Sequence, residues 1–251
     1  MSNAAQPRAS RRHRRALTLV EGLIVAAILV VLVAVLLPYA PRGAREAARR
    51  NACLNNARQI GMALVAYSEE HGELPPAYTV DEAGNRLHSW RTLILPYMEY
   101  QSVYETIDLT KPWDDPANAS ARAEAIFPYA CPSEPAETER ETRERCHYVA
   151  VCGAGCAFDG ATPQSLPTNR DELQRVVAVV ETPFDRWVHW MSPEDISAEE
   201  LLRLSADVQT RHPGGILHAI CLDGHREHWP LDATREARRA LLLIASDPAD
   251  E

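Results

Sequence analysis

The sequence predicts an α+β protein in which a long N-terminal helix, first transmembrane and then amphipathic, packs on a small antiparallel-sheet globular domain. Three observations predict this. An apolar run covers Gly22 to Leu37 without one polar side chain. Beyond it, Ala47, Leu54, Ala57, Ile60, Leu64 and Tyr67 recur at spacings of three, four and seven, which is one face of a helix. Further on, β-branched and apolar runs at Val176–Val180 and Ile216–Leu222 alternate with short helical patterns.

The chain of 251 residues is 46% hydrophobic and 24% charged, so it can bury a core and is not a disordered chain. Its formal net charge is −9, which excludes the broad basic surface of a nucleic-acid binder. The average hides an asymmetry. Residues 1–16 carry Arg8, Arg11, Arg12, Arg14 and Arg15 and no acid, which leaves −14 on the remainder. Counted from Leu17 to Leu37, the following segment is interrupted only by Thr18 and Glu21. As a helix it would be about 31 Å long, which matches a bilayer core. One inner-membrane span at 17–37 is therefore expected, in contact with membrane lipid. The arginines place residues 1–16 in the cytoplasm and the later domain in the periplasm or outside. A cleaved secretory signal fits poorly, because the run is long and ends in Leu36-Leu37-Pro38-Tyr39.

A plain anchor explains the length and the arginines but not Glu21, since a carboxylate in an apolar span marks a functional residue. The stretch Ala16-Leu17-Thr18-Leu19-Val20-Glu21, after basic residues and before an unbroken apolar run, resembles the signal of type IV prepilins and type II secretion pseudopilins. The resemblance implies cleavage by a prepilin peptidase between Ala16 and Leu17, methylation of the new Leu17 amine, and an assembly role for Glu21 as the fifth mature residue. The family usually has glycine before the cut and phenylalanine after it, where this chain has Ala16 and Leu17. Pro38 falls where many pilins carry a helix-kinking proline, and it removes a backbone donor here in any case.

Residues 38–71 extend this helix as an amphipathic segment, with His71-Gly72 and then Pro75-Pro76 as its stop. Within it, Cys53-Leu54-Asn55-Asn56 and Gln59-Ile60-Gly61-Met62-Ala63-Leu64 are similar to the linker helix of a planctomycete family of pilin-like proteins. That family has a secretion-pathway-G-like C-terminal domain of unknown function. Glu73-Leu74-Pro75-Pro76, Ser89-Trp90, Leu95-Pro96-Tyr97, Cys131-Pro132-Ser133, Tyr148-Val149, Arg211-His212-Pro213-Gly214-Gly215 and Asp223-Gly224 continue the similarity in order. The chain departs from the family at Asp171-Glu172-Leu173-Gln174-Arg175-Val176, where an Asp-Gly-x-Ser-Asn-Thr stretch is usual.

Residues 72–251 read as the extracytoplasmic α+β domain. A helix broken around Pro96 is expected over 90–107, a strand at Val176–Val180, a helix over 193–206 and a closing helix over Thr234–Ala245 capped by Thr234. Segments 108–145 and 157–170 are polar, proline-rich loops. Asp223-Gly224 predicts a hairpin with a two-residue turn, which pairs Leu222 with His225 and Ala219 with His228. In that register His218 and His225 share one face while Cys221 and His228 share the other, so these groups and His212 do not converge and no metal site is expected.

Six cysteines, Cys53, Cys131, Cys146, Cys152, Cys156 and Cys221, allow 15 full pairings. An oxidising compartment makes Cys131, Cys146, Cys152 and Cys156 the candidate disulfide residues. Cys152-Gly-Ala-Gly-Cys156 lacks thioredoxin spacing, and Asn118-Ala119-Ser120 fits a glycosylation sequon. No phosphate-binding loop or nucleophile elbow is present.

The expected function is a pseudopilin-like structural subunit of a type II secretion or type IV pilus-like assembly, with prepilin peptidase and like subunits as partners. The alternative is an anchored protein whose outer domain binds a ligand or partner without polymerising. An enzyme using the cysteines and histidines is a third class, and no enzymatic activity is expected. No cofactor is expected either, and calcium, which some related pseudopilins bind, has no supporting motif here.

Overall fold

The computed structural model describes residues 19–36, 42–134, 136–184, 186–212 and 214–244, and the chain divides into two compact units, Met1–Arg45 and Glu46–Glu251. In the first unit, α1 (Leu19–Leu36) is a helix of 18 residues, exposed along its whole length from Leu19 to Leu32. Among the described residues no helix is long and apolar enough to cross a membrane. This overturns the transmembrane part of the expected fold and the single-pass membrane localisation. The helix that follows, α2 (Arg42–His71), is studded with Arg45, Glu46, Arg49 and Arg50. Ala16, Leu17 and Pro38 lie outside the described residues.

The second unit begins with α2 from Glu46 on. Its buried face is Cys53, Ala57, Ile60, Ala63 and Leu64, and it stops where Gly72 takes φ +80 and donates its N–H to the Ser68 carbonyl at 2.8 Å. The helix lies on a five-stranded sheet of order β7-β4-β5-β8-β9, built from β4 (Tyr148–Cys152), β5 (Val177–Glu181), β7 (Ile196–Ser197), β8 (His218–Cys221) and β9 (Arg226–His228). The pairs β4–β5, β5–β8 and β8–β9 are antiparallel, and β7 joins β4 in parallel. Two further ribbons pair β1 (Tyr78–Val80) with β2 (Arg86–Ser89), and β3 (Arg145–Cys146) with β6 (Val188–His189).

Both faces of the central strands β4, β5 and β8 are buried, which explains the continuous apolar runs of β4 and β5. Tyr148, Ala150, Ala178 and Ile220 pack into one core with Ile60, Leu64 and Trp90. Val149, Val151, Val177, Ala219 and Cys221 pack into the other with Trp229, Leu242 and the Leu201–Leu202 pair of α8 (Ala198–Arg203). Between Val177 and Val179, β5 has one residue more than its partner β8, so Ala178 is a bulge. Where α2 crosses the β8–β9 turn the two backbones touch: a Cβ on Gly61 would lie 2.5 Å from the Gly224 carbonyl oxygen. Only glycine admits that approach.

The broken helix over 90–107 is α3 (Trp90–Leu93), a 3₁₀ turn at Leu95–Met98 and α4 (Gln101–Tyr104). Segment 108–145 is not plain loop, because it holds α5 (Ala119–Arg122) and α6 (Glu139–Glu144), with 3₁₀ turns at Pro116–Asn118 and Phe127–Tyr129. The helix expected over 193–206 shortens to α8, since Ile196–Ser197 is taken by β7 and Ser197 caps α8 by accepting from the Glu200 N–H. Residues Arg170–Arg175 form α7, capped by Asn169, whose side chain accepts from the Asp171 N–H. The closing helix α9 (Arg235–Ala240) is capped by Thr234 as expected and ends earlier.

A fully buried ion pair fastens α3 to the segment before β7. All five Arg91 donors are used: Nε to the Trp190 carbonyl (3.2 Å), Nη1 to Asp195 Oδ1 (2.7 Å) and the Tyr148 carbonyl (3.2 Å), and Nη2 to the Ser192 and Glu194 carbonyls (2.7 and 2.8 Å). Asp195 Oδ1 also accepts from Trp90 Nε1 and from the Ala150 N–H that opens toward it from β4.

Candidate functional site

Of the residues expected to carry function, Glu21 stands in the first turn of α1, where a carboxylate favours the positive end of the helix dipole. The cysteines arrange themselves differently from expectation. Cys131 bridges to Cys53 on α2, with Cα atoms 5.1 Å apart across 78 residues of sequence, while Cys146, Cys152, Cys156 and Cys221 are free. A bridge needs Cα atoms within about 7 Å, and the packing of α2 against the Cys131 segment meets that. Burial pushes the Cys146 and Cys156 thiols up to about 11 and Cys221 to about 12, and raises Cys152 further, so these groups stay protonated and weakly nucleophilic.

The hairpin turn has three residues, not two. The Cys221 N–H bonds the His225 carbonyl, Gly224 has φ +79, and His218 pairs with His228. The left-handed glycine makes this the bulged loop that competes with the two-residue turn for an Asp-Gly sequence. The one-residue shift reverses the face assignment. His218 and His228 now share a face with ring centres 5.3 Å apart, and His212 lies 4.6 Å from His218. His225 stands apart beside Asp223 and Glu227. Asn118 of the sequon is fully buried, its amide holding Asp108 and Pro112 carbonyls and its Oδ1 the Asp108 N–H, so it is a loop fastener.

The site that sequence spacing missed is a polar pocket between α2, the end of β5 and the 211–218 segment. Cys53, Cys131, Glu181 and His212 each offer a ligand atom there, all within 4.8 Å of one another and all buried. Glu181 faces into it because it pairs across the sheet with Tyr148, whose hydroxyl donates to the Cys53 carbonyl at 3.0 Å. His212 Nε2 is 3.3 Å from Glu181 Oε2 and 3.7 Å from Cys131 Sγ. Neither Glu181 oxygen has a hydrogen-bond partner, although the residue is only 1% exposed. A buried carboxylate in that state is costly unless a proton or cation completes it.

Around this pocket buried side chains are held by hydrogen bonds to the backbone. His147 accepts the Cys131 N–H on Nδ1 at 2.7 Å, and burial, with the Arg211 and Arg145 charges, drives its pKa down to about 2. Arg211 bonds Glu134, the Thr182 carbonyl and hydroxyl, and the Arg186 carbonyl. No local motif links residues 53, 131, 181 and 212. The Cys-Leu-Asn-Asn, Cys-Pro-Ser and Arg-His-Pro-Gly-Gly stretches were legible only as separate motifs, and Glu181 carried no signal of its own.

Neither the comparison with curated proteins nor that with solved structures gives a match. Residues 42–178 match the family described as a protein of unknown function (DUF1559), a stretch that runs from the start of α2 through Cys131 and β4 into β5. More than half of the chain carries this pattern, and the chain belongs to that family.

Proposed function

We propose that the chain is a pilin-like structural subunit of a type II secretion or type IV pilus-like assembly, matured by a prepilin peptidase that cuts between Ala16 and Leu17. The observation that carries this reading is Glu21, the one ionisable residue in the apolar helix α1, five places after the expected cut and downstream of an arginine-rich, acid-free leader. A helix apolar on every side needs cover. Packing α1 against its counterparts in neighbouring copies supplies that cover, and places the Glu21 carboxylate of one copy near the Leu17 amine of the next. Methylation leaves that amine charged, so the pair attracts in surroundings that screen charge weakly. The second unit then acts as the displayed domain, with its free thiols protonated.

Mass spectrometry of the native protein tests the reading. The expected result is a chain lacking residues 1–16 and carrying a methyl on the Leu17 amine. Full-length chains recovered from a cell with active prepilin peptidase refute it, and the alternative of a ligand-binding domain that does not polymerise then stands.

A further inference from the structure

We propose that Cys53, Cys131, Glu181 and His212 form a zinc site when the Cys53–Cys131 bridge is reduced, so that the pocket holds either a disulfide or a Zn²⁺ ion. The proposal is independent of any role in an assembly.

The geometry is that of a tetrahedral site with one edge pulled shut. Zinc bonds of about 2.3 Å to sulfur and about 2.0–2.1 Å to nitrogen or oxygen put neighbouring ligand atoms roughly 3.3 to 3.8 Å apart. The His212 Nε2–Glu181 Oε2 distance is 3.3 Å and the His212 Nε2–Cys131 Sγ distance is 3.7 Å, and no two of the four donors are more than 4.8 Å apart. The sulfur–sulfur edge is closed by a covalent bond. Breaking it frees both sulfurs to take up tetrahedral spacing.

Two independent observations point to a cation. Both Glu181 oxygens are buried without a hydrogen-bond partner. The His212 imidazole at 3.3 Å is the nearest polar group and the disulfide offers no donor, whereas a divalent ion would satisfy the carboxylate and use His212 as a co-ligand. In addition, His228, His218 and His212 form a file of imidazoles with ring centres 5.3 and 4.6 Å apart, leading from the exposed strand β9 to the pocket. Both His218 ring nitrogens in that file are buried without a hydrogen-bond partner, a second unsatisfied polar group beside the pocket. Two thiolates, an imidazole and a carboxylate favour zinc over calcium or magnesium, which prefer oxygen ligands alone.

The chemistry balances through a thiol reductant. Two equivalents of a small thiol, or one of a dithiol, give their electrons and protons to the Cys53–Cys131 bond by exchange, leaving two protein thiols and one reductant disulfide. Zinc then displaces both thiol protons to solvent as it binds. A small-molecule disulfide runs the sequence backwards and expels the ion.

The test uses the full chain, oxidised and reduced, titrated with Co²⁺ and then Zn²⁺. The four free cysteines are present in both forms, so the oxidised chain is the internal control. Expected for the reduced chain is one equivalent of Co²⁺ with intense tetrahedral absorption and a sulfur-to-metal charge-transfer band, displaced by Zn²⁺, and none of this for the oxidised chain. Glu181→Gln and His212→Gln should each weaken Zn²⁺ binding by more than the roughly 10- to 100-fold typical of losing a supporting residue. Should the reduced chain lose its circular dichroism, its recovery on adding Zn²⁺ supports the site, and failure to recover overturns it. A folded reduced chain that binds neither metal overturns the proposal, as does binding that both variants and reoxidation leave unchanged.

Discussion

Replacing Arg91 by methionine keeps much of the side chain's length and removes its charge and all five donors. The guanidinium is completely buried, and its partner Asp195 is nearly so. Burial works against the charge on Arg91, and Asp195, with Cys146 and Tyr129, together more than offset it, so the guanidinium is held charged more firmly than usual. Removing one side of a buried pair costs about 3–5 kcal/mol, because the other charge stays behind. The Trp190, Tyr148, Ser192 and Glu194 carbonyls also lose a donor each, at about 1 kcal/mol or more apiece where water does not enter. A loss of about 5 kcal/mol or more is expected, against a total stability of about 5–15 kcal/mol for a domain. Urea unfolding followed by tryptophan fluorescence measures it, since Trp90 and Trp190 flank the pair. Burial already raises the Asp195 carboxyl, with Arg91 pulling it back down. Without Arg91 the folded state takes up a proton there above the unfolded pKa. Stability of the variant therefore falls as pH rises, and its deficit shrinks on going from pH 7 to pH 5. The double variant Arg91→Met/Asp195→Asn keeps the acceptor for Trp90 and Ala150 and should recover at least about 2 kcal/mol. A single-variant loss below about 1 kcal/mol, or no recovery in the double variant, refutes the reasoning.

Gly61→Ala gains helix propensity of about 1 kcal/mol but drives a methyl into the Gly224 carbonyl, so a net loss of about 1–3 kcal/mol in thermal or urea unfolding is expected. His189 sits between Trp113 and Trp190, and burial lowers its pKa to about 4, with Glu144 pulling upward. The unfolded histidine binds its proton near pH 6.5, so this residue withdraws stability as pH falls from about 6.5 to about 4. His189→Asn, which keeps an acceptor for the Met191 N–H, should flatten the stability–pH curve there by about 1.4 kcal/mol per pH unit, and an unchanged slope shows that another group sets it. For the proposed assembly, Glu21→Ala should leave cleavage at Leu17 largely intact while cutting subunit crosslinking strongly, since loss of one member of a buried pair costs about 3–5 kcal/mol. Crosslinking equal to wild type rules out Glu21 as the registering charge.

The sequence by itself determined the features whose signals are local. Period-3.6 spacing located α2, and the His71-Gly72 stop located its end, because a helix face and a left-handed cap are written within a few neighbouring residues. The β-branched run at Val176–Val180 gave β5, Pro96 gave the broken helix over 90–107, and Thr234 gave the cap of α9. Local signals misled where two local solutions compete. Asp-Gly suits a two- or a three-residue turn, and only the seating of Gly224 against Gly61 of α2 accompanies the longer one. The apolar run Gly22–Leu37 is a matter of composition, and among the described residues no helix is long and apolar enough to cross a membrane, which overturns the expected span. Tertiary structure alone decided which cysteine meets which. The expected disulfide set omitted Cys53, because 78 residues separate it from Cys131 and nothing in the spacing brings them together. The same holds for Glu181 and His212. Their convergence follows from a strand register, a bulge at Ala178 and the packing of α2 on the sheet, contacts that no window of neighbouring residues encodes.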